Sequence, residues 1–181
     1  MLILLDRDGV LNLDRADYVK TPDELVLLAG AAAAVARLNA ARHRVVVCTN
    51  QSAVGRGIID AERLTLIHHR LREQIAAAGG HLDDILACTD APDRPGPWRK
   101  PRPGMLLEAM RRFHATASET VMIGDHLRDL EAAAAAGCRR ILVRTGQGSA
   151  TQAAGLPPAV LPVAVHEDLA AAVTALLDPA P

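Results

Sequence analysis

The chain begins with an apolar run, Leu2 to Leu5, that stops abruptly at two carboxylates, Asp6 and Asp8. Four apolar residues without polar alternation are typical of a strand that is buried on both faces, as in the middle of a parallel sheet. Similar short runs, several of them β-branched, recur along the chain and predict five more strands. They lie at 44–48, 85–88, 120–123, 141–143 and, as an edge strand, 160–165.

Helical patterns fill the intervals between these strands, at 30–41, 60–78, 103–114, 129–137 and 167–177. The second helix follows Asp60, a favourable N-cap residue, and repeats apolar residues on one face. His68 and His69 fall within it, where a solvated helix face is the simpler interpretation. The stretch 145–158 is predicted to be flexible, and residues 178–181 are expected to fray.

Strands that alternate with helices at this spacing predict right-handed crossovers and an α/β fold. We therefore expect a Rossmann-like parallel sheet between helical layers. Because no repeat or linker divides the chain, residues 1–181 are predicted to form a single domain. The interval between the first two strands already contains a helix, which leaves no room there for a large cap domain.

Composition excludes several classes of partner. With 20 Lys+Arg against 21 Asp+Glu the net charge is −1, so bulk charge does not favour nucleic acid or an anionic membrane. The first residues lack the basic segment and cleavage site of a secretory signal, and charges interrupt every apolar stretch. Three widely spaced cysteines suit reduced thiols better than disulfides. We expect a soluble cytoplasmic protein without a membrane or nucleic-acid partner.

Polar clusters follow four of the predicted strands. They are Asp6 with Asp8, Thr49 to Ser52, Arg99 with Lys100, and Gly124 with Asp125. Because parallel strands bring their carboxyl ends to one edge of a sheet, these side chains should converge there. Carboxylates suit Mg²⁺, whereas a hydroxyl, an amide and a lysine suit the oxygens of a phosphate ester.

Four stretches resemble, in order, the motifs of the haloacid dehalogenase superfamily of phosphatases. They are the residues 5–12, 48–52, 99–101 and 123–129. Each motif alone is weak, but four in register are specific. Within the superfamily the chain is similar to the branch whose substrates include a heptose 1,7-bisphosphate and histidinol phosphate.

The resemblance implies a Mg²⁺-dependent phosphatase in which Asp6 attacks phosphorus and forms an aspartyl phosphate. Asp8 would act as general acid and then as general base. Asp6, Asp125 and the backbone carbonyl of Asp8 would hold the metal, and Thr49, Asn50 and Lys100 the transferred phosphoryl group. The remaining candidates would meet the rest of the substrate, and they are Asp14, Asp17, Gln51, Ser52, Arg56, Arg99 and His126.

Three functions stay open at this point. A small sugar bisphosphate, above all a heptose 1,7-bisphosphate used for nucleotide-activated heptose, fits Arg56 and Arg99 as partners of a second anionic group. Histidinol phosphate would instead favour an acidic lining. A signalling module that accepts phosphate without turnover is disfavoured, because such modules place the phosphorylated acid later in the chain. A monomer is the expected oligomeric state.

We predict that the purified protein contains no structural zinc, although related phosphatases often bind zinc in the loop that follows the third strand. A closed zinc site needs four N or S ligands. This loop offers Cys88, with Asp90 as a poor substitute, and its prolines and Trp98 should order it instead. Elemental analysis after extensive dialysis should find far less than one zinc per chain, and a chelator should leave the fold intact. One zinc per chain would contradict the prediction.

Overall fold

The computed structural model describes residues 1–178 and forms one six-stranded sheet around β1. The fraying predicted for residues 178–181 falls mainly on residues 179–181, which lie outside the described part of the chain. The strands are β1 (Leu2–Leu5), β2 (Arg44–Asn50), β3 (Asp84–Cys88), β4 (Thr120–Gly124), β5 (Arg139–Val143) and β6 (Ala164–His166). Their order is β3-β2-β1-β4-β5-β6, and every neighbouring pair is parallel. The predicted parallel sheet with β6 at its edge is confirmed.

Seven α-helices in the described part of the chain connect and cover these strands. They are α1 (Ala31–Ala40), α2 (Ser52–Gly55), α3 (Ala61–Ala77), α4 (Gly104–Arg112), α5 (Leu127–Ala135), α6 (Gly148–Ala153) and α7 (Leu169–Leu177). The α3 helix starts as its sequence predicts, because the Asp60 carboxylate accepts a hydrogen bond of 2.7 Å from the backbone N–H of Arg63.

Alternate residues of β1 enter two separate hydrophobic cores. Ile3 and Leu5 pack with residues of α1, α3 and α7, whereas Leu2 and Leu4 pack with residues of α4 and α5. All four side chains are buried, which explains why the run has no polar residue. The sheet therefore lies between two helical layers, as the sequence predicts.

The segment 145–158 differs from its predicted flexibility, because α6 lies within it. Two contacts anchor this region: the Thr145 hydroxyl donates to Gly9 O at 2.6 Å, and the Thr151 hydroxyl donates to Asp125 O at 3.1 Å. Small polar residues gave no apolar periodicity from which a helix could be predicted. Tertiary contacts to the two aspartate-bearing loops supply the order instead.

Two boundaries differ in ways that matter for the polar edge of the sheet. The β2 strand extends to Asn50, and α5 begins at Leu127 rather than at Asp129, because His126 serves as its N-cap. Between β1 and α1 there is a short 3-10 helix, Pro22–Glu24, and no large cap. In the described chain no helix is long and apolar enough to cross a bilayer.

Candidate active site

A cleft of about 280 Å³ opens at the carboxyl ends of the strands. Its lining includes eight of the residues predicted from sequence, namely Asp6, Asp8, Asp14, Asn50, Gln51, Ser52, Arg56 and Arg99. Thr49, Lys100 and Asp125 are buried behind this lining. Asp17 and His126 are outside it. The Asp17 carboxylate instead pairs with Lys20 at 2.6 Å and with Arg15 at 3.0 Å.

A buried lysine links two of the carboxylates behind the cleft. Lys100 Nζ lies 2.9 Å from Asp6 Oδ2 and 2.7 Å from Asp129 Oδ1, and its side chain is fully buried. Burial lowers the pKa of Lys100, but the carboxylates of Asp129 and Asp6 outweigh this effect and raise the pKa above its ordinary value. Lys100 is therefore a fixed positive charge at the floor of the site.

Asp125 is held by the segment that precedes α6. Its Oδ2 accepts a hydrogen bond of 2.8 Å from the backbone N–H of Gln147. A Cβ atom at Gly9 or at Gly146 would lie 2.1 Å from the same oxygen, so only glycine allows this close approach. The other oxygen, Oδ1, is buried and has no hydrogen-bond partner within residues 1–178. An unpartnered carboxylate oxygen suits a cation ligand.

Asp125 is one of three carboxylates that converge at this edge of the sheet. Asp6, Asp125 and Asp129 each place one ligand atom within 4.8 Å of the others. Burial, together with the neighbouring carboxylates, raises the pKa of Asp125 to about 8, and burial raises that of Asp6 to about 6 although Lys100 opposes it. A divalent cation beside them would stabilise their ionised forms. The donor set is therefore suited to a hard cation that prefers oxygen ligands.

Asp8 is held in its ionised form by three donors. Arg7 donates to both of its carboxylate oxygens, at 2.9 and 3.0 Å, while the amide groups of Asn12 and Gln51 each donate at 2.8 Å. Burial raises the pKa of Asp8, but Arg7 and these hydrogen bonds together lower it below its ordinary value. The sequence pattern does not single out Arg7 or Asn12, because periodicity does not show which group a polar side chain meets.

The expectation that both His68 and His69 of α3 lie on a solvated helix face is wrong for His68. Its Nε2 lies 3.4 Å from Arg7 Nη1, and burial and the Arg7 charge lower the pKa of His68 to about 3. The neutral ring therefore accepts a hydrogen bond from Arg7. His69 is exposed as expected. A heptad-like pattern shows which residues face the core, but it does not show what a flanking histidine meets.

Asn50 and Gln51 use their side chains inside the site. The Asn50 amide donates to Lys100 O at 3.0 Å and accepts from Lys100 N at 3.1 Å, so both of its polar groups hold the backbone of Lys100. The Gln51 amide joins Asp8 to the Thr49 hydroxyl, at 2.8 and 2.9 Å. Both side chains therefore organise neighbouring groups of the site, and their expected contacts with phosphate or substrate stay predictions.

Guanidinium groups dominate the outer part of the cleft. Arg56, Arg99 and Arg128 line it, and among the described residues none of them has a carboxylate within 4.0 Å. Burial lowers the pKa of Arg99, and the positive charges of Arg128 and Arg56 lower it further. Arg128 Nε is buried without a hydrogen-bond partner in this part of the chain. The sequence pattern does not single out Arg128, which lies in the first turn of α5.

Comparisons with known proteins agree with this geometry. Residues 97–172 match the HAD-hydrolase-like family model. The chain is 45% identical, over 180 residues, to D-glycero-β-D-manno-heptose-1,7-bisphosphate 7-phosphatase of Bordetella bronchiseptica, and 99% of each chain is covered. It is 43% identical to the enzyme of the same name from Pseudomonas aeruginosa, with 97% of each chain covered.

Solved structures give the same picture. The D,D-heptose 1,7-bisphosphate phosphatase of B. bronchiseptica, complexed with magnesium and phosphate, has a TM-score of 0.93, 45% identity and 99% coverage of both chains. The D,D-heptose 1,7-bisphosphate phosphatase of Burkholderia thailandensis has a TM-score of 0.76 and 40% identity, with 98% of each chain covered.

Replacing Lys100 with Met should destabilise the protein by about 3 kcal/mol at pH 8, because the buried carboxylates of Asp6 and Asp129 lose their cation. Asp6 has a pKa of about 6 even with Lys100 present, so at pH 5 it is protonated and the loss should be smaller. Denaturant unfolding with chelator at both pH values measures this. Lys20→Met, which changes a partly exposed lysine, should cost less than about 0.5 kcal/mol. A loss independent of pH would contradict the assignment.

Proposed function

Because the chain belongs to the D-glycero-β-D-manno-heptose-1,7-bisphosphate 7-phosphatase family of the haloacid dehalogenase-like hydrolases, we propose that it removes the 7-phosphate of that heptose bisphosphate. The product would be the heptose 1-phosphate. The chain is a phosphoric monoester hydrolase. The observation that carries the proposal is the carboxylate of Asp6 at the floor of the cleft, held 2.9 Å from Lys100 and beside Asp125.

Asp6 acts as the nucleophile. Its Oδ1 accepts a hydrogen bond of 2.7 Å from the backbone N–H of Arg7, and Lys100 holds Oδ2, so the carboxylate is fixed before substrate arrives. Attack on phosphorus forms an O–P bond to Asp6 as the bond to the sugar oxygen breaks. Hydrolysis of this aspartyl phosphate then returns Asp6 and releases inorganic phosphate.

Asp8 acts as general acid in the first step and as general base in the second. The negative charge of the bound phosphate ester raises the pKa of the adjacent Asp8 carboxyl, so that it can protonate the leaving sugar oxygen. Once the sugar has left, Arg7, Asn12 and Gln51 stabilise the Asp8 carboxylate. In that form it takes a proton from the water that attacks the aspartyl phosphate.

Mg²⁺ is the cofactor that the site favours. The carboxylates of Asp6 and Asp125, with the backbone carbonyl of Asp8, would hold it, and the unpartnered Oδ1 of Asp125 supports this assignment. When bound, the ion neutralises charge on the phosphoryl oxygens and keeps Asp6 ionised. The magnesium and phosphate in the B. bronchiseptica enzyme, 45% identical over the whole chain, support the same choice.

Arg56, Arg99 and Arg128 form the subsite for the second phosphate. Three positive charges without carboxylate partners repel one another, and an anion between them would relieve that repulsion. Asp14 and Ser52 line the same cleft and are suited to the hydroxyls of the sugar. Histidinol phosphate, the second candidate substrate, carries an amino group, which this basic rim disfavours. Hydrolase activity removes the signalling alternative.

The remaining assignments concern the protein as a whole. We propose that residues 1–181 act as one phosphatase domain and that the monomer is active, since one chain supplies every group of the site. A cytoplasmic location is supported by three free and buried cysteines.

Asp6→Asn should abolish hydrolysis of both a small aryl phosphate and the heptose bisphosphate, because an amide is a poor nucleophile and a weak metal ligand. Asp8→Asn should lower kcat at least about 100-fold, because an amide cannot transfer the proton. Activity without Mg²⁺ should be negligible. Steady-state kinetics with Asp23→Asn, an exposed aspartate outside the cleft, provide the control. Full activity of Asp6→Asn would exclude Asp6 as the nucleophile.

Arg99→Ala should raise KM for the heptose bisphosphate about tenfold and leave kcat within about twofold, since the lost contact exists in the ground state and in the transition state alike. The aryl phosphate lacks the second anion, so its kcat/KM should hardly change. Arg94→Ala provides a matched control, because Arg94 lies in the same loop with a largely exposed side chain. If both substrates lose activity equally, Arg99 acts with Lys100 on the reacting phosphate.

A further inference from the structure

The loop between β3 and α4 is closed by a ring of three hydrogen bonds. Asp90 Oδ2 accepts from the backbone N–H of Gly96 at 2.7 Å, and Gly96 O accepts from the backbone N–H of Arg99 at 3.3 Å. The ring closes where Arg99 Nη1 donates to Asp90 O at 3.0 Å. The carboxylate of Asp90 therefore holds the loop, and the backbone carbonyl of the same residue, which the loop carries, holds the guanidinium group of Arg99.

Asp90 also meets the thiol of Cys88: burial raises the pKa of that thiol, the backbone of Asp90 opposes this effect and the Asp90 carboxylate adds to it. Asp90 does not line the cleft, and its side chain makes no ion pair with any residue of the described chain. A carboxylate that accepts from a backbone N–H forms a charge-assisted bond, which is stronger than a bond between neutral groups. Gly96 is fitted closely to it, because a Cβ atom there would lie 2.6 Å from Asp90 Oδ2.

We propose that Asp90 is a positioning residue for substrate specificity: it fixes Arg99 toward the distal anionic group of the substrate. This inference rests on the function proposed above. Within residues 1–178, the Arg99 side chain donates its hydrogen bond to the backbone carbonyl of Asp90. An arginine held in place before binding loses less conformational entropy when it meets an anion. Asp90 thus sets affinity for the second anion without touching it.

Three variants test this role. Asp90→Ala should raise KM for the heptose bisphosphate about tenfold, with kcat for a small aryl phosphate within about twofold of wild type. Asp90→Asn should restore most of the affinity, because its amide oxygen still accepts from Gly96 N–H. Gly96→Ala should reproduce the rise in KM, since its methyl group displaces the Asp90 carboxylate while leaving Asp90 in the sequence. Asp93→Ala, which changes a largely exposed aspartate of the same loop, should leave KM and kcat unchanged for both substrates.

The double variant Asp90→Ala/Arg99→Ala separates positioning from general support of the fold. If Asp90 acts through Arg99, the double variant should have the KM of Arg99→Ala alone. Additive losses, an equal loss with the aryl phosphate, or an unchanged KM in Asp90→Ala would each overturn the inference.

The proposed function is tested separately in the same experiment. Wild-type turnover of the heptose bisphosphate decides that function. If the bisphosphate is bound but not hydrolysed, its inhibition constant against aryl phosphate hydrolysis measures distal binding in its place. The same about tenfold loss in Asp90→Ala supports the positioning role in that case, and an unchanged inhibition constant overturns it.

Discussion

The structure of the site depends on the buried ammonium group of Lys100. This group lies between the carboxylates of Asp6 and Asp129. The side chain of Asn50 holds the backbone of Lys100 through two hydrogen bonds. Removing a lysine from water is costly unless its charge is fully paired, and here two carboxylates provide the pairing. Four segments that are distant in sequence therefore meet at one residue: the ends of β1 and β2, the loop before α4, and the first turn of α5.

The position of Asp125 depends on the close approach of two backbone segments to its carboxylate. Gly9 and Gly146 both lie against Asp125, each at a point where a Cβ atom would overlap the carboxylate. The fold thereby keeps Asp125 beside Asp6 although burial raises the pKa of both groups. A site that confines negative charge in this way has free energy to gain from a cation. The burial and close spacing that raise the pKa of Asp6 and Asp125 therefore also favour binding of a metal ion, because the ion stabilises both ionised carboxylates.

The sequence predicted those features that arise from backbone periodicity. Apolar strands ending in polar residues placed Asp6, Asp8, Lys100 and Asp125 together, because a parallel sheet gathers its carboxyl ends. The sequence did not reveal which polar group each side chain would meet. Arg128 preceded the predicted helix 129–137, so the pattern assigned it to no helical face, and α6 lacked any apolar period.

Charge chemistry divides the cleft into two ends. At the inner end a point charge, Lys100, is neutralised by carboxylates and surrounded by oxygen ligands, which suits a phosphoryl group in transfer with its metal ion. At the outer end the planar guanidinium groups have no carboxylate partner within 4.0 Å among the described residues, which suits a static phosphate that accepts paired hydrogen bonds. Under the proposed function, a substrate with two phosphates would bind in one direction. The phosphate that reacts would be the one that reaches the acidic end.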